Sequence, residues 1–261
     1  MEDGTQIEQC AALQDAFGEY SDSSDEVLSP FIEETKLYTW ESVEGIDGLW
    51  LCRDFLPQKH QNLVLSAIDR DGWFNETSHN QAMRFGDLPV WATELTRLVR
   101  KAVCFGEIAI VDGLELDCED QLMEESGPFP FDLLWREPLF DQLIANVYQP
   151  GEGICAHVDL MRFEDGIAIV SMESECVMHF SRDDREIRAH ETGVGRDDSP
   201  AKVPVMLNPG SLILMSGEAR YSWKHEINRA DGFQIWKGRE ILQQRRTSVT
   251  LRKLCPSPND L

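Results

Sequence analysis

His157 and Asp159 stand two residues apart in the stretch NVYQPGEGICAHVDL, just after a turn marked by Pro150 and Gly151. On an extended chain alternate side chains share a face, so this imidazole and this carboxylate can reach one metal ion without distorting the backbone. By itself an H-x-D pair is a weak signal, because most strand histidines are simply hydrogen-bonded. A third ligand has to come from another element, and His225 in RYSWKHEI, 66 residues beyond Asp159, is the best placed. Two imidazoles and one carboxylate on one side of a metal leave three positions open, as in mononuclear non-haem Fe(II) sites. His60, His79, His179 and His190 lack a partner acid at a useful offset, apart from Glu191 beside His190, and are read as structural or surface residues.

The same parity argument groups other polar residues. Asn146 and Tyr148 share a face just before the turn, and Arg246, Ser248, Thr250 and Arg252 share a face in RRTSVTLR, with Val249 and Leu251 on the other. If the arginine face points inward it needs an anion, since an unpaired buried charge is costly. A dicarboxylate meets that need, because a guanidinium fork grips a carboxylate through two parallel hydrogen bonds.

In chain order, N-x-Y-x2-G-x5-H-x-D, a distant histidine and R-x5-R resemble the AlkB family of Fe(II)- and 2-oxoglutarate-dependent dioxygenases, over roughly residues 40–255. The resemblance implies a mainly β fold with flanking helices: a double-stranded β-helix (jelly-roll) core preceded by an α/β lid extension. It implies that His157, Asp159 and His225 ligate Fe(II), and that Arg246, helped by the Tyr148 hydroxyl, binds the distal carboxylate of 2-oxoglutarate. Asn146 and Arg252 would hold the iron-chelating end of that co-substrate, with dioxygen as the third reactant. Ser248 stands where the family often has Asn. The implied reaction converts 2-oxoglutarate to succinate and carbon dioxide while a substrate C–H is hydroxylated, and an N-methyl carbon so treated leaves as formaldehyde.

Within the family, YQPGEGICAHVD, FEDGIAIVSMESECVMHF, GEARYSWKHEI and RRTSVTLRKL resemble the tRNA wobble-uridine hydroxylase branch. That implies a nucleic-acid substrate, foremost RNA such as tRNA; oxidation of a side chain in a basic protein segment is the alternative. Two departures stand out. The 261 residues leave no room for the RNA-recognition and methyltransferase domains of that branch, and Leu160 and Met161 follow the metal Asp where DNA-repair members carry acids.

Several elements must position these groups. LVLSAIDRDG and LPVWATELTRLVRKAVC carry apolar residues at helical spacing, the first stopped by Asp71-Gly72. Residues 37–54 read as two short strands around a Gly turn, and 111–138 as an acidic connection with little regular structure. From residue 139 onward, short Val- and Ile-rich runs broken by turn signals argue for a sandwich or barrel. A charged loop interrupts them at 182–200. The division expected is an acidic, unstructured tail over 1–35 with one short helix near Ile7–Phe17, a lid region over 36–138 and a catalytic core over 139–261. In the lid, Met83, Arg84 and Phe85 of NQAMRFGDLP are candidates to stack on a base or meet a phosphate; Met83 and Phe85 as core with Arg84 solvated is the equal alternative.

Charge and cysteines bound the setting. The net charge is −23, but 1–35 hold ten acids and no base while 139–261 hold 18 acids against 15 bases. A strongly acidic surface matches a polyanion poorly unless a local basic groove exists, for which Lys224, Arg229, Lys237, Arg239 and Arg245 are candidates. It would attract a basic protein segment. Seven scattered cysteines without a C-x-x-C pair, no signal-like N-terminus and no long apolar run argue for a reduced compartment, cytoplasm or nucleus, without membrane insertion. A monomer is the default expectation.

Overall fold

The computed structural model describes residues 37–75, 80–109, 127–183 and 202–256; the tail expected over 1–35, residues 111–126 of the 111–138 connection, His79, His190 and nearly all of the 182–200 loop lie outside them. The described residues all belong to one compact unit.

Two sheets carry the architecture. The strands of the larger are β1 (Tyr38–Ser42), β2 (Leu49–Cys52), β3 (Gln81–Phe85), β4 (Gly106–Ile108), β5 (Gln142–Tyr148), β7 (Ile167–Met172), β10 (Leu212–Met215) and β14 (Arg246–Arg252). Their spatial order is β3-β5-β14-β7-β10-β2-β1-β4. The smaller sheet runs β6-β11-β8-β9, with β6 at Ile154–His157, β8 at Cys176–Arg182, β9 at Val203–Leu207 and β11 at Trp223–Ile227. A separate hairpin joins β12 (Ile235–Trp236) to β13 (Arg239–Glu240). From β5 to β11 the chain crosses repeatedly between the sheets, and β14 closes the order beside β5, which is the double-stranded β-helix of the expected fold.

Alternation explains why the sheets pack face to face. Ile167 and Ile169 of β7, Ile213 and Met215 of β10, Cys176, Met178 and Phe180 of β8 and Val205 and Leu207 of β9 meet in one buried cluster. Every residue of β5 and β7 is buried, so those strands also need cover on their second face. The amphipathic helices α1 (Gln58–Arg70) and α2 (Val90–Cys104) bury stripes led by Val64, Ala67 and Ile68 and by Trp91, Leu95, Val99 and Ala102. Trp40 of β1 donates from its indole Nε1 to Ala102 O at 2.9 Å and ties α2 to the sheet. Leu63 and Leu98, expected on those buried faces, are only half-buried, and Gln61 takes an inner place by donating to Leu56 O at 2.9 Å. Short helices α3 (Phe131–Leu134) and α4 (Gly217–Tyr221) complete the fold; α3 lies in a connection expected to be irregular.

Candidate functional site

The site is built from both sheets. On the smaller sheet, β6 and β11 pair with His157 directly opposite His225, their rings 4.3 Å apart between centroids. Gly153 makes this pairing possible: a Cβ there would lie 2.1 Å from Ile227 O and push β6 off β11. Asp159 follows the strand by two residues and is buried, with its Oδ2 3.8 Å from His225 Nε2. Ligand atoms of the three residues lie within 4.8 Å of one another, a spread that one ion with bonds of about 2.1 Å can draw together.

The protonation states suit a metal. His157 Nδ1 donates to Cys155 O at 2.8 Å, which places the proton on Nδ1 and leaves Nε2 with its lone pair free. Burial pushes His225 down to about 4, against the pull of Asp159 and reinforced by His157, so its ring is neutral. Asp159 Oδ1 sits 2.5 Å from Arg252 Nη2, while Oδ2 is buried without a hydrogen-bond partner. That orphaned oxygen on a carboxylate between two imidazoles is what a cation would satisfy.

On the larger sheet, β14 and β5 pair so that Arg246 faces Tyr148 and Ser248 faces Asn146. Arg246 is 1% exposed; its Nε donates to Ser171 Oγ at 2.9 Å, its guanidinium lies 5.4 Å from the Tyr148 ring centre, and both terminal nitrogens are buried without a hydrogen-bond partner. Such a guanidinium demands an anion. Burial raises the Tyr148 phenol, despite Arg246 beside it, so the hydroxyl remains a donor. Asn146 Oδ1 accepts from Gln81 Nε2 at 2.8 Å, leaving the Asn146 amide nitrogen to donate. All these groups open onto one cavity of about 340 Å³. Its lining includes His157, Asp159, His225, Asn146, Tyr148, Arg246, Ser248, Thr250 and Arg252, and both a metal ion and a dicarboxylate fit its unpaired atoms.

Arg252 is the residue whose contact differs most from expectation. It lines the cavity, yet its guanidinium pairs with the Asp159 carboxylate. The lid residues also separate. Met83 lines the cavity; Phe85 is exposed beside it with Arg162 5.3 Å from its ring; and Arg84, on the opposite face of β3, lies 5.0 Å over Trp73. Neither Met83 nor Phe85 is core, since β3 is an edge strand and leaves both about half exposed.

Of the five cations proposed as a basic strip, none lines the cavity. Lys224 pairs with Asp183, Arg239 with Glu175 and Arg245 with Glu173. Arg229 donates to Glu152 O, and Lys237 sits over Trp236. His179 is buried against Phe233, as befits a structural residue.

Three residues that sequence reasoning passed over shape the site. Gln81 holds Asn146. Arg220 of α4, 1% exposed, donates to the carbonyls of Asp159 (3.0 Å), Leu160 (2.8 Å) and Phe163 (3.1 Å), and so moulds the loop that carries Asp159. Glu173 accepts from Arg245 and from Thr247 Oγ1, the neighbours of Arg246, with its own backbone at φ +74°. Nothing in the local sequence GEARY, where Arg220 follows the equally charged Glu218 by two, marks Arg220 for that role.

Residues 87–252 match the family model for the 2OG-Fe(II) oxygenase superfamily. The chain is 30% identical over 265 residues to the tRNA (carboxymethyluridine(34)-5-O)-methyltransferase alkbh8 of Xenopus tropicalis, across 95% of this chain and 38% of that protein. It is 30% identical over 224 residues to the alkylated DNA repair protein ALKBH8 homolog of Arabidopsis thaliana, across 84% of this chain and 61% of that protein. It therefore spans less than two thirds of either relative. Among solved structures, OsALKBH1 superposes with a TM-score of 0.47 at 14% identity, covering 79% of this chain and 98% of that one.

Proposed function

Because the chain belongs to the 2OG-Fe(II) oxygenase superfamily and is AlkB-like in its relatives, we propose that it hydroxylates or demethylates a nucleic acid, foremost RNA such as tRNA. The observation that carries this reading is one cavity with a His–Asp–His cluster on one wall and a buried, unpartnered guanidinium on the other. The family uses Fe(II), 2-oxoglutarate and dioxygen.

His157 through Nε2, Asp159 through Oδ2 and His225 would hold the iron. Arg246 and the Tyr148 hydroxyl would take the distal carboxylate of 2-oxoglutarate, the Asn146 amide would meet its chelating end, and Arg252 would orient Asp159 from behind. Bound together, iron and co-substrate supply an oxidant strong enough to break a C–H bond, with succinate and carbon dioxide as by-products. The protein's own contribution is to hold each group in place and to keep the His225 side of the site dry, since His225, Asp159 and Arg246 are all buried.

Two features support a nucleic-acid substrate. One is kinship with a protein named as a tRNA methyltransferase and another named for alkylated-DNA repair. The other is local charge: among the described residues Asp159 is the only acid lining the cavity, while Arg162, Arg246 and Arg252 are there. The overall acidity therefore does not extend to the place where a basic protein segment would need it. Residues 36–138 would serve as the substrate side of the molecule, reaching the cavity through Gln81 and Met83.

Incubation with Fe(II), ascorbate and 2-oxoglutarate should yield succinate, and His157→Ala should abolish it. Nucleoside mass spectrometry of treated cellular tRNA should then show an oxidised or demethylated nucleoside. Succinate formation with no altered nucleoside, together with oxidation of a basic peptide, would sink the nucleic-acid reading and leave the enzyme class standing.

A further inference from the structure

Arg162 has no carboxylate partner and no side-chain hydrogen bond among the described residues. Several other surface arginines around the core do: Arg53 pairs with Glu41, Arg182 with Glu218, Arg239 with Glu175 and Arg245 with Glu173. Arg70 and Arg84 also lack a carboxylate partner among the described residues, but neither lines the cavity. Arg162 thus keeps its charge free in a chain with nearly twice as many acids as bases. Arg162 also lines the catalytic cavity, and it belongs to the loop that Arg220 holds by the carbonyls of Asp159, Leu160 and Phe163.

Its surroundings restrict what it can bind. The guanidinium carbon lies 5.3 Å from the ring centre of Phe85 and 5.0 Å from that of Phe163, within cation–π range of both. Two aromatic neighbours hold the group in position while its N–H edge stays available for a two-pronged hydrogen bond. Around it, Met83, Phe85, Leu160 and Met161 are all exposed, by 45, 47, 62 and 63%. An exposed apolar rim with one oriented guanidinium matches a base-stacking surface beside a phosphate more closely than it matches solvent.

We propose that Arg162 is a substrate-binding residue that grips a backbone phosphodiester of single-stranded nucleic acid next to the nucleotide entering the cavity. The rim of Met83, Phe85, Leu160 and Met161 supplies the apolar face on which the neighbouring base rests. This rests on the nucleic-acid reading given above. A cavity of about 340 Å³, shared with the co-substrate, has room for one base and not for a base pair, so the nucleotide that enters it is unpaired, a state a single strand offers without the cost of extrusion from a duplex.

The test is fluorescence anisotropy with a labelled 12-nucleotide single-stranded RNA of random sequence, the matching RNA duplex and a labelled oligoglutamate peptide. The full chain is loaded with Zn(II) and 2-oxoglutarate, and salt is varied from 50 to 200 mM. The wild type should bind the single strand more tightly than the duplex. Arg162→Gln should weaken that binding by about tenfold at the lowest salt and reduce the slope of log K against log salt by about one. Arg162→Lys should restore the slope and only part of the affinity, because it keeps the charge and loses the fork. Arg239→Gln is the control for general charge loss and should leave binding unaltered. The proposal is overturned if Arg162→Gln matches the wild type in both affinity and slope, or if only the oligoglutamate peptide shows Arg162-dependent binding. No RNA binding by a wild type that still forms succinate would instead remove the nucleic-acid reading, and this proposal with it.

Discussion

The guanidinium of Arg252 and the carboxylate of Asp159 meet at 2.5 Å through Oδ1, on the oxygen that does not face His225. One carboxylate thus has a fixed cation on one oxygen and an unpartnered lone pair on the other. Groups that orient a metal ligand in this way usually change metal affinity when removed.

Arg252→Gln should therefore raise the Fe(II) dissociation constant by about 10- to 100-fold. The effect on 2-oxoglutarate affinity, measured at saturating metal, should be smaller. Isothermal titration of each ligand separately distinguishes this from a role at the co-substrate alone, in which the two effects would be reversed.

Arg246 predicts a trade between stability and binding. Its terminal nitrogens are buried and unpaired, so Arg246→Met should leave the ligand-free melting temperature equal to or above that of the wild type. The same variant should lose 2-oxoglutarate binding by about 100-fold or more, because a buried charge-assisted carboxylate contact disappears. Adding 2-oxoglutarate should raise the melting point of the wild type only.

Arg220→Lys tests the loop that carries Asp159. A single ammonium cannot serve three carbonyls that the guanidinium reaches together. The variant should be destabilised by about 2–4 kcal/mol in chemical denaturation. It should also bind Fe(II) more weakly while its 2-oxoglutarate affinity, read at saturating metal, changes less.

Glu173 sits at φ +74°, where a side chain other than glycine is strained, and holds the two neighbours of Arg246. Glu173→Gly should relieve the strain and remove the clamp. We expect nearly unchanged stability with a several-fold rise in KM for 2-oxoglutarate, and no shift in Fe(II) affinity. A drop in melting temperature with unaltered KM would mean that the clamp is structural only.

Much of the site follows from two periodicities. The period of two put Asn146 with Tyr148 and Arg246 with Arg252 on inward faces, and the helical period placed Val64, Ala67, Leu95 and Val99 on buried stripes. Both are local properties of the chain. The pairing of β3 with β5 is not, because Gln81–Phe85 carries no alternation of apolar residues and joins the sheet through its backbone and the single Gln81–Asn146 side-chain hydrogen bond. The split between Met83 and Arg84 depends on that pairing. Arg220 and Glu173 act through carbonyls and side chains 57 to 74 residues away, contacts that appear only when the sheets close.

His157 and His225 belong to one sheet, while Arg246, Tyr148 and Asn146 belong to the other. A co-substrate that chelated the metal at one end and met Arg246 at the other would therefore be a strut across the sandwich, as well as a reagent. Each turnover would shorten that strut by one carbon dioxide, so the two layers would be coupled most firmly before the reaction and less firmly after it. Amide exchange in β6 and β14 should slow together when 2-oxoglutarate binds and recover together in succinate.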